Sequence, residues 1–178
     1  SPLFSEPTVD AGTYTAHAVR LAAGNWLGRG EGPFWQPPLY AYFLGAIRLV
    51  FSESFFYVAR GIQACLGAFS CFLVYLIGRR LFSSGVGFFA AAATAVYGPL
   101  IYFDARLLPV SLATFLVLLG LWLLIRAQQR PTVALWLVAG FALGLAAITV
   151  ATALVLVPTV VAWIFFHWRK ETAAWRPW

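Results

Sequence analysis

Five long apolar runs dominate the chain beyond residue 55. They cover residues 56–77, 86–103, 107–125, 133–149 and 151–166. From residue 61 to 77, and through the bodies of the other four, no charged side chain interrupts them. A helix needs roughly 20 such residues to cross the hydrocarbon of a bilayer, so each run predicts a transmembrane helix. Only the polar stretch from Thr149 to Thr152 separates the last two. Read as one helix of about 34 residues they would overshoot a bilayer, so the chain is expected to turn back near Thr149.

Before residue 55 the pattern changes. Pro2, Pro7, Pro33, Pro37 and Pro38, half of the ten prolines, fall here, and Gly24, Gly28, Gly30 and Gly32 break up the middle. A helix is predicted from residue 11 or 12 to about residue 23. Tyr14, Ala18, Leu21 and Ala22 form its apolar stripe, and His17 and Arg20 its polar side. Residues 25–36 read as loop. Pro37 and Pro38 then open a second helix in "PPLYAYFLGAIRLVF", since proline suits a first helical turn. At about 13 residues it is too short to span, and it is expected to lie in the membrane interface. The predicted fold class is all-α: a polytopic helical membrane protein with about five transmembrane helices and an outer loop carrying two interfacial helices. Residues 1–55 form the outer loop and residues 56–178 the helical bundle.

Composition supports this reading. The chain has 178 residues, 62% hydrophobic and 10% charged, with a mean hydropathy of +0.83. Soluble domains carry about 25% charged residues, so a single soluble core is excluded. Arg79, Arg80, Arg126, Arg130, Arg169, Lys170 and Arg176 fall at alternate helix ends and mark the cytoplasmic side. The other side holds Arg20, Arg29, Arg48, Arg60 and Arg106 with Glu6, Asp10, Glu31, Glu53 and Asp104. The net charge of +6 therefore speaks of topology and anionic lipid, and of no nucleic-acid partner. Cys65 and Cys71, about 9 Å apart along one helix, are too far apart to bridge. Residue 1 begins outside with no start methionine, so the chain is expected to be a fragment whose preceding helix or signal is missing.

Two carboxylates stand out. Asp10, in "PTVDAGTY", precedes the first predicted helix, where aspartate is a favoured N-cap worth about 1 kcal/mol. Asp104, in "YGPLIYFDARLLP", is placed at an outer turn, where it would cap the 107–125 helix while Arg106 snorkels to the headgroups. The functional alternative puts both in one outer pocket. Gly140 and Gly144 form a GxxxG expected to pack tightly within the bundle, as are Gly61, Gly67 and Gly78. His17 and His167 lie on opposite sides and make no metal cluster. No phosphate-binding loop, dinucleotide fingerprint or nucleophile elbow is present.

The segments "SPLFSEPTVDAGTYTAHAVRLAAGNWLG", "FWQPPLYAYFLGAIRLVF" and "ARGIQACLGAFSCFLVYLIGRRLFSSGVGFFAAAATAVYGPLIYFDARLLP" resemble the N-terminal third of bacterial GT-C glycosyltransferases. They are most similar to dolichyl-phosphate-mannose-protein mannosyltransferase-like proteins, in the clan of protein O-mannosyltransferases and aminoarabinose transferases. The resemblance implies a membrane glycosyltransferase that takes a sugar from a polyprenyl-phosphate donor. It passes the sugar to an acceptor hydroxyl of a protein, lipid or glycan, with inversion, on the periplasmic side of a bacterial inner membrane. Asp10 matches the first-loop aspartate regarded as the catalytic base, and Asp104 the second-loop acidic position. Arg60 and Arg106 are the candidates to hold the phosphate, and Tyr14, His17 and Gln36 complete the expected substrate contacts. No cofactor is assigned beyond a candidate divalent metal, and Arg106 stands where many relatives carry a second acid. Thr149-Val150-Ala151-Thr152 replaces an Arg-Pro-Asn-like motif of many relatives. The competing readings are a transporter or flippase component, which would place ionisable groups inside its helices, and a non-catalytic scaffold.

Overall fold

In the computed structural model, which describes residues 10–26 and 36–163, every described element is helical. They run in the order α1 (Asp10–Ala22), α2 (Leu39–Val50), α3 (Phe55–Leu81), α4 (Ser84–Ala95), α5 (Gly98–Ala105), α6 (Val110–Gln129) and α7 (Val133–Thr149). A last helix, α8 (Ala151–Trp163), opens with a 3-10 turn over Ala151–Val155. Most of the loop expected over residues 25–36, and the basic tail with Arg169, Lys170 and Arg176, lie outside the described residues.

Local chemistry explains several boundaries. Ser83 caps α4, its hydroxyl accepting from the Val86 N–H at 3.3 Å. Thr132 caps α7 in the same way through the Leu135 N–H, also at 3.3 Å. Each satisfies a first-turn donor that has no partner inside its helix. Arg79 and Arg80 sit in the last turn of α3, and Arg126 in the last turn of α6, where the helix dipole favours cations.

Length and apolarity qualify α3 and α6 as membrane spans, and a third span if α4 and α5 count as one. These two meet at a bend of 52° after Val96 and Tyr97. The helix expected without interruption over residues 86–103 is therefore broken, with Pro99 in the first turn of the new segment. Helices α2, α7 and α8 are apolar but shorter.

Helices α1 and α2 form a hairpin whose inner face is Ala11, Tyr14, Ala18 and Leu21 against Tyr40, Ala41, Leu44 and Ile47. That core continues into Phe55 and Ala59 of α3, Leu112 and Leu116 of α6, and Ala146 of α7. A second cluster joins Leu123 and Leu124 of α6 to Ala139, Ala142 and Leu143 of α7. Large side chains such as Phe69, Phe72, Phe88, Phe89 and Phe141 point outward, as a bilayer-facing surface requires.

The glycines divide in an unexpected way. Among the described residues nothing approaches Gly61, Gly140 or Gly144, so the tight packing expected of them is absent there. Close approach occurs as expected at Gly67, against the Asp104 side chain, and at Gly78, where α3 meets Gly87 of α4 backbone to backbone. A Cβ on Gly87 would lie 2.6 Å from the Arg79 nitrogen and 2.7 Å from the Tyr75 carbonyl oxygen. Neither neighbour is a side chain that could swing aside. Gly87→Val should therefore destabilise the protein by about 2 kcal/mol in detergent unfolding. Gly140→Val should leave the unfolding transition close to wild type; equal effects at the two sites would refute this packing.

Candidate functional site

Asp10 is the first residue of α1 and is exposed. Its Oδ1 accepts a hydrogen bond from Gln36 Nε2 at 3.1 Å, across 26 residues of sequence. The other atom of that amide, Gln36 Oε1, is buried and accepts no hydrogen bond among the described residues.

One turn into α1, Tyr14 is buried and meets Tyr40 edge to face, ring centroids 5.0 Å apart. Burial, and secondarily the charge of Asp10, hold the Tyr14 phenol above its ordinary range. Burial, and secondarily Tyr14, push Tyr40 higher still. Both phenols are thus neutral hydroxyls at physiological pH. The Tyr40 hydroxyl donates to Gln63 Oε1 at 3.4 Å. Gln63 Nε2 in turn donates to the carbonyls of Arg106 at 2.9 Å and Leu108 at 3.2 Å. Gln63 is completely buried, and its amide joins the α1–α2 hairpin, α3 and the turn that follows Asp104.

Asp104 stands inside α5, and α6 begins only at Val110. The expected N-cap of a 107–125 helix is therefore corrected, because the carboxylate lies too far upstream of the first turn. Asp104 Oδ1 instead accepts from the Ser111 hydroxyl of α6 at 2.6 Å. The same carboxylate packs against the backbone of α3 at Gly67, where an added Cβ would lie 2.9 Å from Asp104 Cγ. A cavity of about 260 Å³ opens beside it, lined by Ser70, Cys71, Thr94, Ser111 and Thr114 together with apolar groups that include Leu100 and Ile101.

The expected site residues thus fall into different settings. Gln36 comes together with Asp10, while Tyr14 serves as a packing residue beneath it. Asp10 does not line the Asp104 cavity, and neither do Arg60 or Arg106. The Arg106 guanidinium lies over the Tyr102 ring, 5.6 Å from its centroid. Arg60 and His17 are half-buried in α3 and α1. Among the described residues no group of three or more His, Cys, Asp and Glu side chains converges. Sequence reasoning missed Gln63, Ser111 and Tyr40. Gln63 carried a usable signal, since a lone amide within an apolar span needs partners.

Residues 35–177 match the family described as dolichyl-phosphate-mannose-protein mannosyltransferase. The chain belongs to this family. It is a family of membrane glycosyltransferases, in agreement with the apolar helices. The matched segment contains Gln36, Arg60, Asp104 and Arg106, whereas Asp10, Tyr14 and His17 precede it. No curated protein and no solved structure matches the chain significantly.

Proposed function

We propose that the protein transfers a sugar from a polyprenyl-phosphate donor to a hydroxyl of a protein or glycan acceptor, with Asp10 as general base. The observation that carries this reading is the exposed Asp10 carboxylate, oriented by the Gln36 amide. An acceptor hydroxyl can donate its hydrogen bond to this carboxylate. Its oxygen attacks the anomeric carbon from the side opposite the phosphate, the bond to the phosphate oxygen breaks, and the hydroxyl proton passes to Asp10. A phosphate is a good leaving group and takes the electron pair without protonation, which is why a second acid, needed by glycosidases, is dispensable. Arg60 and Arg106 are assigned to the departing phosphate. The distribution of arginines supports an active site on the outer face of the membrane, and the resemblance to bacterial GT-C enzymes makes that face the periplasmic one.

The test uses the full-length protein in native membranes supplied with radiolabelled sugar, either on polyprenyl phosphate or on a nucleotide. Transfer from the lipid donor alone is expected; transfer from the nucleotide sugar alone would discard the reading. Gln36→Leu removes a hydrogen bond to a carboxylate worth about 1.5 kcal/mol, so kcat should drop roughly tenfold. The KM for the donor should hold steady, because Gln36 is assigned to the acceptor side. A second reading, transport, rests on Asp104, a half-buried carboxylate facing a cavity among helices. It predicts substrate flux in proteoliposomes without any sugar transfer.

A further inference from the structure

The ends of α3 and α6 that lie far from Asp104 enclose a groove of about 510 Å³. Four guanidinium groups line it: Arg79 and Arg80 from α3, Arg126 from α6, and Arg130 just beyond. No acidic side chain lines it among the described residues. Gln63 and Arg79 are 16 residues apart on one helix, about 24 Å along its axis. Ser111 and Arg126, on α6, are 15 residues apart, about 22 Å. The groove therefore lies at the opposite membrane face from the Asp104 turn.

Two of the arginines are held in place. Arg126 lies over the Trp122 ring at 5.0 Å and Arg79 over the Tyr75 ring at 5.6 Å, both measured to the centroid. The backbone contact between Gly78 and Gly87 fixes the end of α3 that carries Arg79 and Arg80. Converging cations repel one another unless an anion lies between them, and guanidinium groups match phosphate oxygens in pairs. The groove also has an apolar side, formed by Leu76 and Ile125 with Trp122. A free phosphate would leave that side wet, whereas a glycerophospholipid covers it with its glycerol and upper acyl chain.

We infer that this groove is a binding site for the phosphate headgroup of an anionic membrane phospholipid. It is separate from the proposed sugar-transfer site and does not depend on that reading. The experiment embeds the full-length protein in phosphatidylcholine nanodiscs doped with phosphatidylglycerol and measures retained lipid by native mass spectrometry. Wild type should retain phosphatidylglycerol in preference to phosphatidylcholine. Each arginine near a lipid phosphate contributes about 1 kcal/mol, so R126Q/R130Q should weaken that retention roughly 30-fold. R20Q/R48Q, with the same loss of charge elsewhere, should retain the lipid as wild type does. Equal retention by wild type and R126Q/R130Q overturns the inference, and so does equal loss in R20Q/R48Q, which would show a response to overall charge. Complete displacement of phosphatidylglycerol by inorganic phosphate overturns the lipid assignment in favour of a free-anion site. Should R126Q/R130Q fail to fold, a photoactivatable phosphatidylglycerol on wild type decides the matter. Crosslinks are expected on residues 76–80 or 122–130, and crosslinks only elsewhere overturn the site.

Discussion

Asp10→Asn should reduce sugar transfer by about two to four orders of magnitude, the usual contribution of a positioned general base. The substitution keeps the size of the side chain and an oxygen that can accept from Gln36, but it removes the ability to take a proton. The KM for the lipid donor should barely change, since the phosphate contacts are assigned elsewhere. Stability should also barely change. An exposed carboxylate in a first helical turn contributes roughly 0.3–1 kcal/mol through the helix dipole. The two readings of Asp10 therefore separate cleanly. Either reading loses only this small dipole term, but a residue that only opens α1 keeps full activity, whereas a base loses turnover. Activity within a few-fold of wild type, measured with full-length protein in membranes, rejects the base.

Gln63→Leu should bring the largest loss of stability, on the order of 3 kcal/mol, read as a lowered unfolding midpoint in detergent. Leucine fills nearly the same volume, so packing is retained while three hydrogen bonds disappear. The Tyr40 hydroxyl loses its acceptor, and the carbonyls of Arg106 and Leu108 lose their donor. Gln63 and Tyr40 are fully buried, so no water replaces the lost amide at the Tyr40 hydroxyl. Tyr40→Phe removes only the longest of the three bonds and should cost far less. If Gln63→Leu and Tyr40→Phe unfold alike, the amide does not pin the Asp104 turn to α3. Because α1 packs on Tyr40, the same change should also loosen the hairpin that carries Asp10.

The apolar runs by themselves determined the helical, membrane-embedded class, because only helices and closed barrels satisfy the backbone in lipid. They also placed α7 at residues 133–149, where a threonine cap and a polar break bound an uninterrupted apolar stretch. The stripe of α1 and the proline-led start of α2 were equally legible, since half-exposed helices show which face they bury. The candidate site was legible only in part. Asp10 and Gln36 could be named, but their pairing across 26 residues could not be read from spacing. The bend of α4 on α5 and the partners of Gln63 and Asp104 were likewise hidden. Gly67 and Gly78 were named as points of close contact, but the sequence did not separate them from Gly61, Gly140 and Gly144, and Gly87 was missed. The reason is physical. Lipid tails are as apolar as a helix interior, so hydropathy cannot tell a face that meets lipid from one that meets another helix. Only the tertiary arrangement decided which small residues and lone polar groups found partners.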